Sequence, residues 1–233
     1  MKCIIHRWYD TPEAEMKTII PIFGKEIFYD LIDIILEVIK ASNSLMKNFV
    51  ADFYTKASSI IVTNINTYHE NNFNVSFLDA ELTCKCLELI SIIIKILPEY
   101  IAPCFEKSNL IEVLYQLIDI HDVNINNYLF ILIGEFKNLP KSQLISRHIE
   151  KITFFLKLYL TSPENFPDLS GKTKESDRSY ICAYNNCCFS IGSLSVNFGN
   201  EISGIVDSCM NMLVRILSYP KVDFIFKIRL INL

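Results

Sequence analysis

Apolar residues recur every three to four positions along almost the whole chain, which is the period of an amphipathic α-helix. No segment is a convincing strand. We therefore predict an all-α protein. The predicted helices cover residues 22–41, 46–65, 77–97, 106–119, 123–138, 143–160, 179–198 and 201–217.

Helix ends are marked by specific residue types. Thr11-Pro12 predicts an N-cap followed by proline at the first helical position. Pro98, Pro140 and Pro220 come at the ends of predicted helices, where the missing N–H of proline is tolerated. Asp122 and Val123 look like the start of the second helix of a repeat.

The chain also resembles itself at a fixed spacing. The segments KILP at 95–98 and KNLP at 137–140 are 42 residues apart, and each closes a predicted helix. In this register Ile92 corresponds to Gly134. A period near 42 residues in paired helices is typical of HEAT repeats, whose stacked pairs form an α-solenoid.

In the same alignment of repeats, Gly134 corresponds to Gly192 of the next repeat. These two residues are 58 positions apart, 16 more than the 42 positions of the first repeat. The polar segment 163–178 has that length, so we predict a loop insertion there. The predicted helix pairs are 1–42, 46–98, 101–139 and 143–198, with an incomplete pair at 201–233. Since neither end resembles a polar capping repeat, we interpret the chain as a fragment of a longer solenoid. The apolar segment 222–233 is expected to dock on 201–217 or to bind another chain.

Composition narrows the possible partners. Hydrophobic residues make up 51% of the chain, which is ample for a continuous core, and the net charge is −4. A negative net charge argues against nucleic acid, which requires a basic surface, and it suits basic partners.

The apolar run 87–97 is too short to span a bilayer, and asparagines and serines make 181–199 a costly span, so we predict no membrane segment. The first ten residues lack the apolar core of a signal peptide.

The eight cysteines do not form a recognisable metal site. Neither Cys84-x-Cys86 nor Cys187-Cys188 has the spacing of a zinc site, and no histidine pair completes one. We expect reduced, mostly buried cysteines in a cytosolic or nuclear protein, without a bound metal.

Motifs of the common enzyme classes are also missing. The segment SGKT at 170–173 has Phe166 where a phosphate-binding loop needs its first glycine, and no strand precedes it. Cys188 could act as a nucleophile only if the fold brought a histidine close to it. We therefore expect a protein without enzymatic activity and without a cofactor.

Acidic residues share one face of the predicted helix 22–41. Four of them fall within about 60° of one another on a helical wheel. They are Glu26, Asp30, Asp33 and Glu37. The face is interpreted either as a solvated surface or as a cradle for a basic peptide.

An aromatic residue stands on the polar side of the predicted helix 179–198. Phe189 shares an arc with Asn185, Asn186 and Ser193, while the apolar residues of this helix lie opposite. Two interpretations follow. The ring either packs against an adjacent repeat or is exposed as an anchor for a peptide ligand.

Three segments carry a resemblance to a known family. They are KSNLIEVLYQLID, LFILIGEF and YNNCCFSIGSLSVNFGNEI. In this order and spacing they resemble transportins, the karyopherin-β nuclear import receptors built of HEAT repeats. The resemblance runs from about His6 to Pro220 and covers the later repeats of a receptor several times longer.

The resemblance implies a function and a set of partners. Transportins bind the proline–tyrosine nuclear localisation signals of their cargo on the acidic concave face of a C-terminal arch. The GTPase Ran, in its GTP form, binds mainly the N-terminal repeats and releases the cargo. Nucleoporins are further partners, and such a receptor shuttles between cytoplasm and nucleus.

The resemblance also assigns residues. Phe189 matches a tryptophan that contacts the hydrophobic part of a cargo signal, and Glu88 and Glu135 match acidic cargo-facing positions. Lys95 stands where the family has an acidic residue, and the sequence after Pro220 departs from the family pattern. The pocket for the proline–tyrosine pair would lie upstream of Met1. The alternative is a HEAT-repeat scaffold or adaptor for another protein assembly.

Overall fold

The computed structural model describes residues 25–41, 47–140, 143–162 and 175–217, and every regular element in these ranges is helical. The prediction of an all-α chain is confirmed for this part of the protein. Its helices are α1 (Lys25–Ala41), α2 (Val50–Glu70), α3 (Ala80–Ile96), α4 (Pro98–Lys107), α5 (Leu110–Ile118), α6 (Val123–Glu135), α7 (Gln143–Thr161) and α8 (Glu175–Leu217). Single 3-10 turns occupy Val75–Phe77 and Phe136–Asn138.

Aspartate side chains cap the N-termini of two of these helices. Asp79 accepts a hydrogen bond from the backbone N–H of Leu82 at 3.1 Å and so caps α3. Asp122 accepts from the backbone N–H groups of Asn124 and Ile125, both at 2.9 Å, and caps α6. Each cap satisfies N–H groups that have no partner within the helix. The start of a helix at Val123 is therefore confirmed.

The single helix predicted over 106–119 is wrong, because two helices meet within it. α4 begins at Pro98 and ends at Lys107, and Ser108 is extended with φ −88° and ψ 156°. The Ser108 hydroxyl donates to the Phe105 carbonyl at 2.9 Å and lies 2.7 Å from the Tyr54 hydroxyl of α2. A tertiary partner therefore fixes the end of α4, and it lies 54 residues away in the sequence.

α8 differs from its prediction at both ends. It begins at Glu175, so the last residues of the predicted loop 163–178 are helical. It also continues to Leu217 through a kink at Phe198, where φ is −129° and ψ is 27°. The predicted boundary between 198 and 201 is thus a kink. The helix start at Thr11, the loop residues before 175 and the segment 222–233 lie outside the described residues.

Contacts connect the helices in two rows. In one row α1 contacts α3, α3 contacts α6, and α6 contacts α8. In the other row α2 contacts α4 and α5, and α5 contacts α7. The two rows are joined by contacts of α2 with α3, α5 with α6, and α7 with α8. Each helix therefore contacts mainly its neighbours in the same row and the helix of the other row with which it is paired.

One cluster of buried apolar side chains fills the space between the two rows and reaches from Leu31 to Ile202. Its largest fully buried members include Tyr54, Phe105, Phe130 and Tyr184. Four of the cysteines belong to it, and two more are half-buried. The buried ones are Cys84, Cys86, Cys187 and Cys188, the half-buried ones are Cys104 and Cys182, and all six are free thiols. The prediction of reduced, mostly buried cysteines is confirmed for these six.

No helix within the described ranges combines the length and the apolar character that crossing a membrane requires.

Candidate functional site

Helices α6 and α8 lie side by side and run in the same direction. Asn186 donates to the side-chain oxygen of Asn127 at 2.6 Å, and Ser190 one turn later donates to the backbone carbonyl of Phe130. Asn197 donates to the carbonyl of Lys137 at 2.6 Å. From one contact to the next, the residue numbers increase on both helices. The two helices are therefore parallel.

The Phe189 ring lies half-buried against α6. A Cβ atom added to Gly134 would come within 3.2 Å of the ring, tighter than an ordinary contact, so glycine eases this close approach. The Lys137 ammonium is 5.1 Å from the ring centroid, within the range of a cation–π interaction. The ring is thus neither a fully exposed anchor nor a core residue. It packs with one part and presents the rest at the surface.

The amides beside Phe189 have different surroundings. Asn186 is held by Asn127, whereas the Oδ1 atom of Asn185 is buried and accepts no hydrogen bond. Ser193, which shares their arc, is buried. A buried acceptor without a donor is costly unless a ligand or water supplies one. Asn185 therefore does not present this acceptor at the surface.

The acidic residues of α1 lie at the other end of the same row of helices. Asp33 forms an ion pair with Lys85 of α3 at 2.8 Å, and Glu37 pairs with Lys40 at 3.0 Å. Asp30 is exposed. Exposed ion pairs contribute little to stability, about 0–1 kcal/mol, and a competing cation can replace one partner. The side chain of Glu26 lies outside the part of the chain whose side chains are described.

Glu88 is half-exposed on α3 and faces Tyr128 of α6. Burial is the main cause that raises the pKa of the Tyr128 hydroxyl, and the negative charge of Glu88 raises it further. Glu88 therefore lies close to this hydroxyl, at the seam between the two helices. Its carboxylate is positioned where a ligand that crosses from α3 to α6 would pass.

Glu135 differs from the expected cargo-facing carboxylate. Only 7% of the residue is exposed, and its Oε2 atom accepts a hydrogen bond from the Asn138 amide at 2.5 Å. The carboxylate thus faces Asn138 in the turn that follows α6, and it has little surface for a partner. Lys95, at the end of α3, is exposed.

Seven side chains from four helices form one band, which we call the transverse strip. It starts at the Asp33–Lys85 pair, continues through Glu88 and Tyr128, and ends at the amide pair and the aromatic ring of α6 and α8. Its members are Asp33, Lys85, Glu88, Tyr128, Asn127, Asn186 and Phe189. Carboxylates at one end, amides in the middle and an aromatic ring at the other suit an extended peptide with a basic and an apolar part.

Several residues of this surface were missed from the sequence, namely Lys85, Asn127, Tyr128, Gly134 and Lys137. The repeat register contained the signal for some of them. Asn127 lies 59 positions before Asn186, and Lys137 lies 60 positions before Asn197, close to the 58-residue step from Gly134 to Gly192. Applying that step to Asn186 and Asn197 would have found these partners to within two residues.

Groups of three or more histidine, cysteine or acidic residues that could hold a metal ion do not occur among the described residues. Comparison of the sequence with models of protein families gives no match, and comparison with curated proteins gives none either.

Proposed function

We propose that the chain is a section of an α-solenoid of HEAT repeats that serves as a nuclear import receptor of the transportin kind. In this proposal the row α1, α3, α6 and α8 lines the concave face, and α2, α4, α5 and α7 form the outer layer. The transverse strip binds the basic and apolar part of a cargo localisation signal. Ran in its GTP form releases the cargo in the full receptor.

The transverse strip is the observation that carries this proposal. It joins residues that are up to 156 positions apart, from Asp33 to Phe189. They come together because each helix of the row α1, α3, α6 and α8 contacts the next one. The strip is mostly polar, and it contains two half-exposed rings, Tyr128 and Phe189. Peptides in extended form bind to such surfaces through a few anchors, of which aromatic residues contribute most.

A second candidate is a HEAT-repeat scaffold or adaptor for another protein assembly. The basic residues near the ring favour it, because Lys137 covers part of the Phe189 ring and Lys95 is exposed at the end of α3. Together with the buried position of Glu135, they make this end of the strip less acidic than a cradle for basic peptides should be. A scaffold with such a surface would bind a partner that carries both acidic and basic residues.

The solenoid itself predicts an elongated shape. Since each helix pair of a solenoid contacts only its neighbours, the chain should be longer than a compact protein of the same size. We expect a radius of gyration above about 17–18 Å, the value for a compact chain of this length. Small-angle X-ray scattering measures it directly. A value at or below that range would exclude the solenoid.

Peptide binding can be tested at Phe189. Replacement by alanine should weaken binding of a fluorescein-labelled peptide that carries the basic and apolar part of a localisation signal by about 5–30-fold, which corresponds to about 1–2 kcal/mol for a modest aromatic anchor. Because half of the ring packs on Gly134, a small loss of stability should accompany it. Phe189→Trp should hold or raise the affinity. Fluorescence anisotropy with the full chain gives these values.

Phe154 provides the matched control. It is an equally large side chain, 58% exposed on α7, and α7 belongs to the other row of helices. Phe154→Ala should leave the affinity within about twofold. Equal affinities of wild type and Phe189→Ala, or equal losses in the two alanine variants, would contradict a role of the strip in binding.

A further inference from the structure

Three large apolar side chains are exposed in the short connection between α2 and α3. The exposed fractions are 64% for Phe73, 52% for Val75 and 50% for Phe77. They fall within five residues, whereas exposed apolar side chains on a soluble surface are normally scattered singly. This apolar cluster lies at the N-terminal end of α3, outside the transverse strip.

The connection that bears the cluster is well ordered by its own hydrogen bonds. The backbone N–H of Phe73 donates to the Tyr68 carbonyl at 3.0 Å, and the N–H of Phe77 donates to the Asn74 carbonyl at 3.0 Å. The Asn74 side chain accepts from both the N–H and the hydroxyl of Ser76. Asn72 and Phe73 have positive φ values of 55° and 60°. Left-handed backbone is rare for a phenylalanine, so the connection holds an unfavourable conformation that keeps the ring outside.

Aromatic contacts fix the Phe73 ring from one side only. Its centroid lies 5.6 Å from that of the Tyr68 ring in an edge-on arrangement, and 5.1 Å from that of the His69 ring. The remaining surface of the ring faces solvent. A partner would thus meet a ring that is already positioned, at a small cost in side-chain entropy.

The segments that bear and adjoin this cluster contain acidic residues and no lysine or arginine. Residues 57–84 contain no lysine or arginine, and neither do residues 108–136, which include the connection between α5 and α6. The two connections lie at the same edge, because α3 packs against α6 and Asp122 caps the start of α6. The charges of Asp122 and of Glu81, in the first turn of α3, both act on the buried Cys84 thiol, whose pKa is raised to about 12, mainly by burial. The same two segments carry the exposed carboxylates of Glu70, Glu81 and Asp119.

We propose that this edge, formed by the α2–α3 and α5–α6 connections, binds a segment of another protein that carries an aliphatic or aromatic side chain between lysines or arginines. Phe73, Val75 and Phe77 receive the apolar side chain, and the carboxylates of the same segments pair with the basic ones. The site is separate from the transverse strip and does not depend on the proposed import function.

The sign of the charge selects this occupant over others. An anionic membrane could accept the apolar side chains, but the carboxylates would repel it, and nucleic acid would be repelled in the same way. A second copy of this chain is a weaker fit, since an interface between two copies of this edge would place like charges opposite each other.

Synthetic peptides test the proposal with the full chain. The probe is a fluorescein-labelled, amidated nonapeptide with a Leu-Trp centre flanked by two lysines on each side, and its matched control has glutamates in place of the lysines. The basic peptide should bind in a saturable way, and the acidic one at least tenfold more weakly. The double variant Phe73→Ser/Phe77→Ser should reduce the affinity at least tenfold. The equally exposed pair on α7, changed as Phe154→Ser/Leu158→Ser, should alter it less than twofold.

A charge-reversal variant distinguishes a direct effect on binding from a loss of binding through misfolding. Glu70→Lys/Asp119→Lys leaves the apolar cluster in place. It should lower the affinity for the basic peptide at least fivefold and raise the affinity for the acidic peptide. No saturation up to 1 mM, or equal affinity for both peptides, overturns the proposal. Dimerisation in sedimentation velocity that the double serine variant abolishes would assign the edge to a second copy. Binding to phosphatidylserine vesicles that requires Phe73 would assign it to a membrane.

Discussion

Replacement of Phe130 by alanine is expected to lower the free energy of unfolding by about 3–5 kcal/mol, the usual loss for a buried phenylalanine. Domains of ordinary stability unfold with about 5–15 kcal/mol, so the variant should keep only a part of its stability or fail to fold at 37 °C. No other single truncation among our predictions has a larger expected effect.

The reason is the position of Phe130 at the junction of three helices. Its side chain, on α6, is fully buried, and the ring packs edge-on against Tyr159 of α7 with the centroids 4.7 Å apart. Its backbone carbonyl accepts the hydrogen bond from Ser190 of α8. Truncation would leave a cavity between two successive helix pairs, and the parallel helices α6 and α8 could not close it without losing their hydrogen bonds.

Urea denaturation followed by circular dichroism measures the loss, with Phe154→Ala as the control that should change stability by less than about 0.5 kcal/mol. Hydrogen exchange adds a second observable. In a stack of repeats a cavity weakens mainly the neighbouring pairs, so protection should fall most in α6, α7 and α8 and least in α2. A loss below about 1 kcal/mol, or an equal loss of protection in all helices, would contradict the packing described above.

Local chemistry explains which features could be predicted from the sequence. Apolar periodicity placed most of the helices, because the apolar face of each one packs on its pair and on its row neighbours. The α6 start at Val123 followed from Asp122, whose carboxylate is in reach of the next N–H groups whatever the rest of the chain does. The repeat register gave the pairing of α6 with α8 to within two residues.

Features that depend on distant residues could not be predicted. The break at Ser108 is held by the Tyr54 hydroxyl of α2. Ser108 and Asn109 are residue types that favour a helix start, but without proline or glycine they did not suffice to predict the break. The half-buried position of Phe189 depends on Gly134, which leaves room for the ring, and on Lys137 above it. A helical wheel shows which way a side chain points, but it does not show what stands opposite.

The second large effect concerns alkaline pH and the buried hydroxyl of Tyr54. This residue is 2% exposed in α2, and its ring lies near Phe105. Burial raises the pKa of the hydroxyl from 10.0 to about 12, and the hydrogen bond with Ser108 opposes only part of this shift. The folded protein therefore keeps the phenol neutral over a range in which the unfolded chain ionises it.

The direction of the effect follows from the two pKa values. Below pH 10 the phenol is neutral in both states, so the folded protein has the full benefit of the buried neutral group. Between pH 10 and 12 the unfolded state loses the proton while the folded state holds it, and the free energy of unfolding falls. The loss should be about 1–2 kcal/mol at pH 11 and approach 2–3 kcal/mol above pH 12, at about 1.4 kcal/mol for each unit of pKa.

Tyr54→Phe isolates this contribution, because lysines, Cys84 and the other tyrosines titrate in both proteins. At pH 7 the variant lacks the hydrogen bond with Ser108 and should be less stable by about 0.5–1.5 kcal/mol. As the pH rises to 11 the wild type loses stability through Tyr54 and the variant does not, so the difference should shrink and then change sign. Urea denaturation at intervals from pH 7 to 11, with a reductant present, follows it. A difference that stays constant over this range would mean that the Tyr54 hydroxyl reaches solvent in the folded protein.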